Sequence, residues 1–263
     1  MVGPAPAPRT LQLDTGPLNV DVEGTGRPLV LLHGAPGTPS DFDGLVDALE
    51  RDWRVVRVAL PGFGRTPRAT ASDPSAESIA DVVCAAIDSL GLEDCVVAGH
   101  SFGAAIAGSV AARVPERVSA LALIAPVGLR PHRAYRWSAP RLSARLLAAP
   151  GIGAVLRALL PGFFRASGFA SPPPKAVLEF TMTTLGHFDW DTHRQRVDAL
   201  AQPTLVAWAD DDPLFETTVF EELSAAAPEG PRLRFETGGH FLPRTQAADL
   251  AACIERMVDE TTD

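Results

Sequence analysis

The sequence predicts an α/β fold: a mostly parallel central sheet with helices on both faces and a helical insertion. Three observations carry this. Apolar runs that read as buried strands alternate with segments of helical period, as expected of strands joined by crossover helices. That rhythm breaks from Pro126 to about Leu200, where helical segments follow one another without a convincing strand, and it resumes at Pro203. Finally, Val96 to Ala105 passes from an apolar run through Gly99-His100-Ser101-Phe102-Gly103 into small residues, which is strand, sharp turn and helix with Ser101 at the apex.

Taken in order, Leu11–Leu13 and Leu18–Val22 alternate apolar and polar around Thr15-Gly16-Pro17, the pattern of a hairpin with one wet face. Pro28–Leu32 is apolar throughout, as a strand buried on both faces should be, and His33-Gly34-Ala35-Pro36-Gly37 ends it. Asp41 is expected to cap a helix that puts Phe42, Leu45, Val46 and Leu49 on one face. Trp53–Leu60 reads as a strand closed by Pro61-Gly62-Phe63-Gly64. Ser75 is expected to cap a helix carrying Ile79, Val82, Val83, Ala86, Ile87 and Leu90, with Gly91 as its stop. The helix after Ser101 is expected to run to about Glu116, and Leu121–Ala125 is a further strand. Within the insertion, Tyr135–Leu147, Ile152–Leu160 and Ala176–Leu185 read as helices, with Pro172-Pro173-Pro174 before the last. Pro203–Trp208, Thr217–Ala227, Leu233–Phe235 and Gln246–Val258 then read as strand, helix, strand and closing helix. The expected division is a core of residues 1–126 and 201–263 and a helical cap of residues 127–200 over the carboxyl edge of the sheet, where open α/β sheets bind ligands.

Composition bounds the function. With 46% hydrophobic and 21% charged residues in 263, the chain reads as soluble and able to bury a sizeable core. A formal net charge of −9 argues against nucleic acid as the main partner. No apolar stretch suits an integral membrane segment, and Met1–Arg9 reads as a proline-stiffened tail without the apolar core of a signal peptide. Cys84, Cys95 and Cys253 are odd in number and set among apolar residues. They read as reduced core thiols of a cytoplasmic protein, with no metal site and no disulfide framework.

The chemistry centres on Ser101. A serine hydroxyl needs a base within hydrogen-bond reach and a group that orients the base. His240, in Thr237-Gly238-Gly239-His240-Phe241 just past the last strand, is the expected base. The orienting acid should follow the preceding strand, where Asp210-Asp211-Asp212-Pro213 offers three carboxylates; Asp212 is the choice, with Asp210 and Asp211 read as a solvated turn and helix-capping charge. The order Ser, Asp, His is the one this turn usually carries. An oxyanion formed at Ser101 needs backbone donors, expected at the N–H groups of Phe102 and Ala35. His33, closing a buried strand, is expected to brace its own loop.

Jointly, His-Gly-Ala-Pro-Gly, Pro-Gly-Phe-Gly, Gly-His-Ser-Phe-Gly, Trp-Ala-Asp-Asp-Asp and Gly-Gly-His resemble the α/β-hydrolase fold superfamily, in its cap-bearing serine hydrolase branch, from about Leu11 onward. One departure is Ala59-Leu60-Pro61-Gly62, where the family usually has Asp-x-Pro-Gly; that carboxylate normally braces loops. The resemblance implies a hydrolase cleaving an ester, thioester or activated carbon–carbon bond of a small apolar acyl compound through an acyl-enzyme, with no metal or organic cofactor. A lyase or cyclase using the same residues for proton transfer, and a ligand-binding protein without turnover, are the alternatives.

The insertion adds a charge asymmetry. No acid occurs from Arg117 to Leu178, yet Arg130, Arg133, Arg136, Arg141, Arg145, Arg157, Arg165 and Lys175 do. Solvation of outer helix faces accounts for them; so does an anionic partner near the mouth, with Arg133 and Arg136 as its contacts. A substrate carboxylate, a coenzyme A thioester, an acyl-carrier protein and an anionic membrane surface each fit that reading.

Overall fold

The computed structural model describes residues 7–49, 52–166 and 173–260. Eight strands form one sheet: β1 (Ala7–Leu13), β2 (Gly16–Glu23), β3 (Arg27–Leu32), β4 (Trp53–Val58), β5 (Cys95–His100), β6 (Val118–Ile124), β7 (Thr204–Ala209) and β8 (Arg232–Phe235). Their order is β1-β2-β4-β3-β5-β6-β7-β8. The first two form the expected antiparallel hairpin, with Leu13 opposite Gly16, and β2 runs antiparallel to β4. All other neighbours are parallel. The expected tail reaches into this sheet, since residues 7–9 belong to β1; residues 1–6 and Pro172 lie outside the described residues, as does the side chain of Arg165.

Strand order decides which face each helix covers. The chain steps one way from β3 to β4 and back past β3 to reach β5. Right-handed crossovers therefore put α1 (Asp43–Asp47) and α2 (Ala76–Ser89) on opposite faces. The next crossover, α3 (Phe102–Arg113), continues in the direction of α2 and packs on it. Past β8, α10 (Leu242–Thr245) and α11 (Ala247–Glu260) return to pack against α1, completing the second face. The chain reverses direction between β3 and β5, so the loops leaving those two strands flank the crevice at the sheet's carboxyl edge.

Between β6 and β7, which are sheet neighbours, lie α4 (Arg133–Ser138), α5 (Pro140–Ala148), α6 (Ile152–Ala166), α7 (Lys175–Gly186) and α8 (Trp190–Asp198); α9 (Thr217–Ala226) joins β7 to β8. The segment expected as one helix over Tyr135–Leu147 is two. Ala139 breaks it with φ 40° and ψ 59°, because a residue preceding proline is pushed out of the right-handed helical region. The polar helix α8 was not expected at all. Asp189 caps it, accepting from the N–H groups of Asp191 and Thr192 at 2.9 and 3.1 Å.

Two further boundaries differ. Asp41 does not cap a helix; it sits at the third position of a 3-10 turn, Pro39–Phe42, and its carboxylate accepts from the Thr38 N–H at 2.9 Å and from Arg244 at 2.6 Å. The helix after Ser101 ends at Arg113 rather than near Glu116. Ser75 does cap α2, accepting from the Ser78 N–H at 3.1 Å.

No disulfide joins the three cysteines; burial pushes the Cys84 thiol up to about 11 and Cys95 up to about 12. Among the described residues no helix is long and apolar enough to cross a membrane.

Candidate active site

Ser101 follows β5, whose six residues are all buried, and adopts φ 54° and ψ −118°. Two glycines permit so sharp a turn. A Cβ on Gly99 would lie 2.3 Å from the carbonyl oxygen of Gly103, and one on Gly103 would lie 2.1 Å from that of Leu32. Phe102 is the first residue of α3, so its N–H has no partner within the helix and points out of the helix start.

Asp212 follows β7 and His240 follows β8, 28 residues later. The imidazole Nδ1–H of His240 donates to Asp212 Oδ2 at 2.7 Å, and Ser101 Oγ–H donates to His240 Nε2 at 2.9 Å. All three side chains are buried. The other carboxylate oxygen of Asp212 accepts from the N–H groups of Leu214 and Phe215 at 2.7 and 3.0 Å. Burial by itself would raise the Asp212 carboxyl, but His240 and those N–H groups outweigh it and hold the group below its ordinary value. Asp212 is therefore an anion aimed at one imidazole nitrogen.

Several supports around this chain were not foreseen. His100 donates from Nε2 to the carbonyl oxygen of His240 at 2.8 Å. Burial, then the neighbouring His240, pushes His100 down to about 3, so it stays neutral. Asp211, expected in a solvated turn, instead accepts from the N–H groups of Gly238 and Gly239 and so holds the loop that carries His240. Asp210 pairs with Arg234 at 3.0 Å. The ring of Phe215 lies 4.8 Å from that of His240, edge on, and 3.7 Å from that of His132.

His33 braces its loop as expected. Its Nδ1–H donates to the Gly34 carbonyl at 2.8 Å, and its Nε2 accepts from the Leu60 N–H at 3.2 Å. That second bond ties the β3 loop to Ala59-Leu60-Pro61-Gly62, so the missing family carboxylate leaves the loop held by other means. Gly62 N–H donates to Thr66 and Phe63 N–H to Leu60.

Ser101 and His240 open into a pocket of about 640 Å³ counted out to its mouth. Ala35 and Phe102 line it at the serine end. Met182 and Leu185 of α7, with Tyr135 and Ser138 of α4, also line it. Among the described residues no Asp, Glu, Lys or Arg lines it. Arg133 and Arg136 are thus not brought to the pocket. Arg136 pairs with Glu216 at 2.7 Å and Arg130 with Glu222 at 2.8 Å, while the Arg133 guanidinium lies 5.8 Å over the Trp137 ring.

Comparison with known proteins bears on the fold. The family model described as alpha/beta hydrolase fold matches residues 27–149. The chain is 27% identical over 225 residues to a protein of Escherichia coli named "Putative carbamate hydrolase RutD", covering 81% of this chain and 84% of that one. It is 36% identical over 104 residues to the dihydrolipoyllysine-residue acetyltransferase component of the acetoin cleaving system of Pseudomonas putida, where the match covers 40% of this chain and only 28% of that protein. Among solved structures, an esterase from Exiguobacterium antarcticum superposes with a TM-score of 0.76 at 18% identity, covering 98% of this chain and 100% of that one. The chain has the α/β-hydrolase fold, which the family model matches over residues 27–149.

Proposed function

We propose that this protein is a serine hydrolase that cleaves an ester or thioester of an apolar acyl compound through an acyl-enzyme. The observation that carries this reading is the hydrogen-bonded chain from Ser101 through His240 to Asp212, opening on a pocket with an apolar wall. Ser101 Oγ attacks the acyl carbon while His240 Nε2 takes its proton. The Asp212 carboxylate stabilises the resulting imidazolium and holds its Nδ1–H in place. The N–H groups of Phe102 and Ala35 receive the oxyanion. Collapse expels the alcohol or thiol, which takes the proton from His240. Water, deprotonated by the same nitrogen, then releases the acid.

The wall bears on the substrate. A carboxylate in this pocket would meet no side-chain cation, whereas a neutral acyl group would meet Val127, Leu214 and Leu185. Residues 127–200 act in this reading as a cap, since α4 and α7 supply part of the pocket wall. The test is labelling by a fluorophosphonate together with hydrolysis of p-nitrophenyl butyrate, each in the wild type and in Ser101→Ala. Labelling and turnover that both vanish in the variant support the reading; turnover that persists overturns it.

A further inference from the structure

A second groove lies among the helices of the insertion. It is open and lined by Trp137, Ser143, Leu147, Leu156, Leu159 and Leu160, together with Ser138 and Met182. Ser138 and Met182 also line the pocket that holds Ser101. One layer of side chains therefore separates the two spaces.

We propose that the two form a single binding track. The carbonyl end of the substrate sits at Ser101, and a long acyl chain passes between Ser138 and Met182 into the groove walled by α5 and α6. This rests on the serine hydrolase reading and extends it from a small acyl group to a long-chain one.

Three features select an acyl chain as the occupant. The pocket's polar side chains are those around Ser101, His100 and His240 and those of His132, Tyr135 and Ser138, while Met182 and Leu185 give it an apolar wall at the partition, along which the apolar tail of a substrate would run. The partition itself is the most adaptable side chain available. Met182 is buried against Leu147, Leu160 and Leu178, but methionine is unbranched and turns about three bonds, so the track opens if this side chain changes rotamer beside the small Ser138. The groove beyond is all apolar but for its two serines, and its rim holds Trp137 at 71% and Leu159 at 63% exposure. Withdrawing such aromatic and aliphatic surface from water is favourable. A tail lying along the groove withdraws it.

The experiment has two arms. In the first, kcat/KM is measured for p-nitrophenyl butyrate and p-nitrophenyl laurate, below the micelle threshold, in wild type and Leu159→Asp. The laurate-to-butyrate ratio should fall about tenfold, the equivalent of roughly 1.4 kcal/mol of lost chain binding; an unchanged ratio overturns the track. In the second arm, methyl 11-bromoundecanoate is titrated into Ser101→Ala and tryptophan fluorescence is followed. Saturable quenching is expected, reversed by methyl laurate and abolished when Trp137→Phe is added. Quenching that survives Trp137→Phe, or none at all, overturns the proposal, as does a groove found covered by a second copy in sedimentation at assay concentration. Because the second arm reads binding without turnover, it stands even if Ser101 proves not to be the nucleophile. That separate failure would show as hydrolysis persisting in Ser101→Ala.

Discussion

The carboxylate of Asp211 accepts a hydrogen bond from the Gly239 N–H at 2.7 Å, fixing the residue immediately before His240. Its neighbour Asp212 faces the other way, onto the imidazole. Two adjacent acids thus divide one task, the first holding the loop and the second holding the ring. Asp212→Asn should lower kcat by about 10⁴, because an amide at that position favours the wrong tautomer and cannot stabilise an imidazolium. Asp211→Ala should lower kcat only about two- to tenfold, since its carboxylate holds the loop through exposed hydrogen bonds to Gly238 and Gly239 while Asp212 is the acid that accepts from the imidazole. Steady-state kinetics on p-nitrophenyl butyrate for both variants checks this; a crippled Asp211→Ala beside a mild Asp212→Asn would reverse the assignment.

The backbone of Ser101, at φ 54°, lies where side chains are strained, at a cost of about 1–3 kcal/mol. Glycine occupies that region without strain. Ser101→Gly should therefore melt above Ser101→Ala, by several degrees, while both lose activity. Thermal melts of the two variants measure the strain directly, and equal midpoints would mean the turn stores none.

Much of this site could be read from the chain because its parts are local. Ser101, Asp212 and His240 each end a strand in a short, distinctive turn, and their order along the chain is the order of the strands that carry them. The supports were harder to read because their partners are distant. The bond from His100 to the His240 carbonyl spans 140 residues, and those from Asp211 span 27 and 28. The polar helix α8 offered little apolar period; it is held by its Asp189 cap and by Arg196, which reaches Glu77 at 2.7 Å, 119 residues away. The break at Ala139 was legible, since Pro140 follows it, and the leucine period over Tyr135–Leu147 masked that signal.

Burial sets the acid limit of the fold. His100 and His132 are pushed down to about 3 and His193 to about 4, in each case first by burial. An unfolded histidine titrates near 6.5, so between that pH and about 4 the unfolded chain binds protons that the folded one does not. Stability is thus fully present above about pH 6.5 and lost as pH falls, by about 1 kcal/mol per pH unit for each of these histidines. Asp212 and Glu77 are held below their ordinary values, so their contribution is lost only below about pH 4. Melting midpoints taken from pH 7.5 to 4.5 should fall from about pH 6 downward, and His193→Gln should reduce the slope by about a quarter, since burial pushes His33 down as well. A flat profile from pH 7 to 5 would contradict this.

Glu216, between β7 and α9, joins the insertion to the sheet. One carboxylate oxygen accepts from the Arg133 N–H at 2.7 Å, at the start of α4, and the other pairs with Arg136 at 2.7 Å and faces Arg130 at 3.6 Å. The carboxyl is held below its ordinary value, with burial opposing and Arg136 and the Arg133 N–H prevailing. Because α4 carries Tyr135 and Ser138 into the pocket wall, loosening this joint should disturb substrate binding before it disturbs the reacting groups. Glu216→Ala should raise KM for p-nitrophenyl butyrate a few-fold with kcat within about twofold, and trypsin should cut after Arg133 or Arg136 faster than in the wild type. Each exposed ion pair here is worth about 1 kcal/mol or less, so the global melt should move by only a few degrees. If KM and the cleavage rate both stay at wild-type values, α4 is held by its aromatic contacts instead, chiefly Tyr135 against Trp190 at 5.2 Å.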